Sequence, residues 1–215
     1  MTPAGRSATA DWAGTLHTPA GAAPRIASLV PSLTELLFAR GRGERVIART
    51  GFCGHPRDAV RRVPKVGGTK DGDLDALRAA RPTHLVVNVD ETRREVVDAA
   101  RAFIPDVIVT HPLVPEDNRR LYELFGAIFG RDDQAARLTR SFDESLAALE
   151  RTAAPLPRTR VLYLIWREPW MTVARDTYVS ATLARAAAFC SAIAASKPER
   201  STPIPRSRRA SSVRS

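Results

Sequence analysis

The chain has 215 residues, 44% hydrophobic and 26% charged, with a net charge of +10 and two cysteines. That length holds one large domain or two small ones and buries a core, in a composition typical of soluble globular proteins. No run of 18 apolar residues exists, so no membrane insertion is expected. Residues 186–215 hold Lys197, Arg200, Arg206, Arg208, Arg209 and Arg214 against Glu199 alone, so half of the positive excess sits in a Ser/Pro/Arg tail. Aromatic residues do not interleave with that basic run and no nucleic-acid motif is present, so no nucleic-acid partner is expected.

Residues 1–24, rich in Ala, Gly, Thr and Pro, read as a disordered N-terminal segment. They lack the continuous apolar stretch of a secretory signal, which as written implies a cytoplasmic chain. Arg25 to Val30 reads as a short buried strand ended by Pro31. Ser32-Leu-Thr-Glu35 has the spacing of a capping box, with Leu33, Leu36 and Leu37 forming a helical face up to Gly41. Arg45 to Thr50 is a second strand, followed by the loop Gly51 to Pro56 and an extended piece at Pro64 to Val66. Gly67 to Asp71 leads into a helix from Asp73 to Ala80. His84 to Asn88 is the clearest buried strand, Glu91 to Phe103 a helix, and Asp106 to Thr110 a fourth strand. Strands alternating with helices predict a parallel sheet covered on both faces, spanning 25–116.

From Asp117 the apolar residues recur at helical spacing, predicting a long connecting helix over 117–154. Gly126, Gly130 and Arg131 to Asp133 are places where it can break in two. Pro155 and Pro157 end it. Arg160 to Trp166 and Met171 to Ala174 read as strands and Thr177 to Ala188 as a helix, so that 155–188 starts a second α/β lobe. Residues 189–215 read as a disordered basic tail. A natural tail and a shifted reading frame compete as its origin; loss of pattern inside an element favours the frame shift and an incomplete second lobe.

These segments, in this order, resemble the helical-backbone (class III) ABC-transporter substrate-binding proteins, and within them the cobalamin-binding members. The resemblance is carried by Arg25 to Gly41 with its Pro-Ser-x-Thr-Glu-Leu stretch, Val66 to Leu74, Ala80 to Asn88, Arg160 to Trp166 and Asp176 to Tyr178. It implies two Rossmann-like α/β lobes joined by a backbone helix, a small-molecule ligand held in the cleft between them, an ABC-transporter permease as partner, and a periplasmic location. It also implies ligand-binding residues: Pro31, Ser32, Phe52, Cys53, His55, Gly68, Thr69, Lys70, Asp90, Glu91, Trp166 and Trp170. The flat tryptophan faces suit a corrin ring, a haem or an iron–siderophore chelate. Asp75 falls near the site that docks on the permease.

Blander readings stand beside these. Glu35 is explained by capping, and Asp73 and Asp75 by the helix dipole. Cys53, His55, His84 and His111 lack metal-ligand spacing, so no metal centre is expected. Gly67 to Lys70 lacks the spacing of a phosphate loop, and no nucleophile sits beside a base, so neither a catalytic residue nor a cofactor is expected and the chain does not read as an enzyme. The alternatives are an α/β enzyme remnant and a fragment that binds nothing.

Overall fold

The structure, a computed structural model, describes residues 8–190. They fall into two compact units, one built from 8–111 with 124–131 and the other from 112–123 with 132–190. Of the disordered basic tail expected over 189–215, residues 189 and 190 instead belong to a strand, and 191–215 lie outside the described residues.

The first unit is built on four parallel strands: β3 (Ile26–Ser28), β4 (Val46–Arg49), β5 (His84–Asn88) and β6 (Asp106–Thr110), in the order β4-β3-β5-β6. All five residues of β5 are buried, as the apolar run predicts for a central parallel strand. Between the strands run α1 (Pro31–Ala39), the short α2 (Arg57–Val60), α3 (Leu74–Ala80) and α4 (Arg94–Arg101). Leu29, Leu77, Leu85, Val87, Val97 and Val109 belong to one buried core cluster, each contributing about 1.5–3 kcal/mol of burial. Asp73 caps α3, its Oδ1 accepting from the amides of Asp75 at 3.1 Å and Ala76 at 2.9 Å. The helix closes on Arg81 with φ 48°.

Two expectations for the first unit need correction. The segment before Arg25 is not disordered from residue 8 on. It forms an antiparallel hairpin of β1 (Thr9–Ala10) and β2 (Leu16–His17), and Trp12 N donates to Val109 O on the open edge of β6 at 3.1 Å. The strands are too short for a period; buried side chains, Asp11 and His17, anchor them. The capping box also fails to form. Helix α1 begins at Pro31, with Val30 as its cap residue and no side-chain capping bond. Proline suits the first helical position, which places Ser32 one residue inside the helix instead of at its cap.

The predicted connecting helix is two helices, α5 (Asp117–Phe129) and α6 (Asp132–Ala153), broken where Gly130 and Arg131 both take positive φ, 75° and 70°. Arg40 Nη2 donates to the carbonyls of Gly130 at 3.1 Å and Arg131 at 3.2 Å, and Arg42 bonds Phe129 O, so two cations meet the carboxyl end of α5.

The second unit contains α6, three short strands β7 (Thr159–Val161), β8 (Leu164–Trp166) and β9 (Met171–Thr172), helix α7 (Tyr178–Arg185) and β10 (Ala188–Cys190). The single strand expected from Arg160 to Trp166 is split. Its first part pairs in parallel with β10 and its second forms an antiparallel hairpin with β9. Helix α7 ends at Arg185, ahead of the expected Ala188, where Ala187 turns to φ 55° and the chain enters β10.

Candidate functional site

Strand order places the site. From β3 the chain crosses to β4 on one side, and from β5 to β6 on the other, so the sheet reverses direction of winding between β3 and β5. In open parallel sheets, ligands bind outside the carboxyl ends of the strands at such a switch point. Four connections leave the sheet at that edge: 29–30 after β3, running straight into the first turn of α1, 50–56 after β4, 67–72 ahead of α3, and 89–93 after β5.

Each loop is fixed by a local device. Thr34, buried on the first turns of α1, has Oγ1 at 2.9 Å from Val30 O, 2.8 Å from Ser28 Oγ and 3.0 Å from Cys53 Sγ. The Thr of the Pro-Ser-x-Thr-Glu stretch therefore locks the loop after β3 to the loop after β4, while Glu35 is exposed. Arg49, at the end of β4, is a buried guanidinium. Its Nε donates to Val60 O (2.8 Å) and Val63 O (3.2 Å), and its Nη1 to Thr50 O (3.0 Å) and Cys53 O (3.1 Å). Neither residue stood out in the sequence as part of the site. Only the Thr, lying within the quoted stretch, carried a signal.

Gly51 N donates to Gly67 O at 2.9 Å, which joins the second loop to the third. Phe52 is 71% exposed, and a Cβ added at Gly68 would stand 3.7 Å from its ring. Gly67 has φ 85°, and a Cβ there would meet Asp73 N at 2.6 Å. The turn is bridged to the fourth loop by Arg93 Nη1 and Asp71 Oδ1 at 2.7 Å. In that loop Asn88 Oδ1 accepts from Asp90 N at 2.8 Å, and Asp90 Oδ1 lies 3.3 Å from His111 Nε2. Burial, then the neighbouring Asp90 charge, raises the Glu91 carboxyl above its ordinary value.

The structure thus brings Pro31 and Ser32, on the first turn of α1, and Phe52, His55, Gly68, Thr69, Lys70, Asp90 and Glu91, on loops, to one edge of one sheet. Cys53 is the correction. It is only 2% exposed, its thiol turned inward to the hydroxyls of Thr34 and Thr50 at 3.0 and 3.3 Å, so it holds the loop and presents no surface to a ligand. Asp75 is exposed on the first turn of α3. In the second unit, Trp166 (64% exposed) and Trp170 (60%) flank the turn between β8 and β9. The Arg167 guanidinium lies 5.8 Å from the Trp170 ring centroid. Among the described residues no cluster of three or more His, Cys, Asp or Glu is gathered for a metal ion, and no helix is long and apolar enough to cross a membrane.

The first unit is a parallel α/β unit with its loops collected at a switch point. The chain matches the periplasmic binding protein family over residues 26–212 and belongs to it. It is 22% identical over 156 residues to the vitamin B12-binding protein of Vibrio parahaemolyticus, covering 73% of this chain and 56% of that protein. Similar solved structures include the periplasmic heme-binding protein RhuT from Roseiflexus in apo form, with TM-score 0.70 and 22% identity over 78% of this chain and 65% of that one. The vitamin B12-binding protein BtuF of Vibrio cholerae gives TM-score 0.69 at 16% identity, again over 78% and 65%. The chain therefore spans between about half and two thirds of the length of these relatives.

Proposed function

We propose that this chain is the substrate-binding component of an ABC importer, acting in the periplasm, and that it binds cobalamin or a related metal chelate, haem or an iron–siderophore. The observation that carries this is the gathering of the loops around Phe52, Gly68 to Lys70 and Asp90 to Glu91 at the switch point of a sheet in a chain of this family. Phe52 offers a flat, solvent-facing ring, and Gly68 beside it leaves room for a large planar ligand to approach the backbone. Relatives that bind vitamin B12 or heme support the ligand class. Trp166 and Trp170 are two further stacking faces, and Asp75 is the proposed docking carboxylate for the permease.

Absorbance and tryptophan-fluorescence titrations with cyanocobalamin, hemin and a ferric catecholate chelate test the reading. Binding of one of the three is expected, weakened about 2- to 12-fold in Phe52→Ala, Trp166→Ala or Trp170→Ala, the equivalent of about 0.5–1.5 kcal/mol of stacking. Saturation by none of them overturns the ligand class. Asp75→Lys is expected to leave ligand affinity unchanged while lowering uptake through the permease.

A further inference from the structure

At the opposite edge of the first unit's sheet, away from the candidate site, four titratable side chains meet. Asp106 and His84 open β6 and β5; Asp11 and His17 belong to the N-terminal hairpin. The His17 imidazole is 1% exposed. Its Nε2 lies 3.1 Å from Asp11 Oδ2 and its Nδ1 lies 3.2 Å from Asp106 Oδ1. Asp11 is already committed: Oδ1 accepts from the amides of Ala13 and Thr15, each at 2.9 Å, and Oδ2 from Val109 N at 2.9 Å. Both partners of the ring are carboxylates, which only accept. A neutral imidazole has one N–H and one lone pair, and the lone pair would then face a carboxylate oxygen. Two simultaneous hydrogen bonds require the imidazolium.

We propose that His17 is a proton-operated clasp: as the imidazolium it bridges Asp11 and Asp106 and holds the Thr9–His17 hairpin against the open edge of β6, and loss of one ring proton to solvent loosens that hold. The facing groups agree. Burial lowers the His17 pKa, but hydrogen bonds and charge from Asp11 and Asp106 outweigh it and leave the value raised above 6.5. His84, from the neighbouring strand, is driven the other way, lowered mainly by burial despite Asp106, with a further lowering from His17. Its Nδ1 sits 2.7 Å from Thr83 Oγ1 and its Nε2 is 3.7 Å from Asp106 Oδ2. Because the folded-state value of His17 is raised, the clasp contributes fully below the unfolded value of about 6.5 and is lost as pH rises through the folded value. The His84 transition falls on the acid side of that window.

The test is an NMR titration of the His17 ring nitrogens in the full chain, alongside amide exchange of Trp12 and Val109, whose N–H groups report the hairpin's grip. Both ring nitrogens are expected to carry protons at about pH 6, with the proton lost above 6.5. Exchange protection at both amides, corrected for intrinsic rates, is expected to be lost progressively across the same transition. In His17→Gln, protection is expected to be low and independent of pH over that range, while His84→Gln keeps the transition. A ring that titrates below 6.5, protection that ignores the titration, or an unchanged midpoint in His17→Gln overturns the clasp.

Discussion

Arg49 shows how one side chain organises a loop. Its guanidinium donates to the carbonyls of Thr50, Cys53, Val60 and Val63. Replacing it by methionine keeps the bulk and takes the donor from the carbonyls of Cys53 and Val63, each costing about 1–3 kcal/mol if it stays dry, while those of Thr50 and Val60 keep the amides of Cys53 and Val63. Arg49→Met is therefore expected to lower the stability of the first unit by at least about 2 kcal/mol in urea unfolding. Gly67 allows a sharper comparison. Gly67→Ala forces a side chain into positive φ and against Asp73 N, at an expected cost of about 1–3 kcal/mol, whereas Gly21→Ala, with open space around it, is expected to be neutral or stabilising. Glu91 gives a pH-dependent case. Its raised value means the folded chain prefers the protonated form, so its stabilisation is present below the unfolded value and lost as pH rises through the folded one. Glu91→Gln should accordingly raise the melting temperature at neutral pH, with the gain vanishing below about pH 4. Cys53 and Thr34 show why the sequence was silent on such roles. A loop residue has no periodicity to say whether it faces in or out, and the partner that decides it lies on another loop.

At the scale of elements, β5 and β6 take the same residues that their apolar runs predict, because parallel strands buried on both faces leave a continuous signal. The hairpin of β1 and β2 was illegible for the opposite reason. Its strands have two residues each, and its anchors reach Asp106 and Val109, far along the chain. Helix ends were legible only in part. Asp73 caps α3 as its position suggests, but Pro31 displaces Ser32 from the cap of α1. In the second unit, Thr177 caps α7, its Oγ1 accepting from Ser180 N at 3.3 Å. Asp73→Ala and Thr177→Ala are each expected to cost about 0.5–2 kcal/mol. Amide exchange should place the loosening in α3 for the first and in α7 for the second.

At the scale of the molecule, the two units differ in how they treat apolar surface. The first buries its β-strands on a shared core. The second leaves Leu162, Tyr163, Leu164, Ile165 and Met171 each at least 40% exposed, beside the two tryptophans. An exposed apolar strand is a ready template for association. Leu164→Lys with Ile165→Lys is expected to lower light scattering on concentration and dye binding to exposed apolar surface, with little change in stability because neither side chain is buried. Greater scattering in the variant would show that those residues are covered in solution. The open sheet of the first unit is bounded at both margins: Lys65 bridges to Arg49 beside β4, and Trp12 and Asp11 occupy β6.

That last contact imposes an order in time. Asp11 is made early, and while its Oδ1 can cap the neighbouring amides of Ala13 and Thr15 at once, its Oδ2 awaits the amide of Val109, 98 positions later. At roughly 5–20 residues per second of synthesis, the hairpin waits about 5–20 s for its seat to emerge. Any pairing of β3, β4 and β5 within that interval proceeds without it. The hairpin is thus synthesised before its seat on β6 and placed only after that strand emerges.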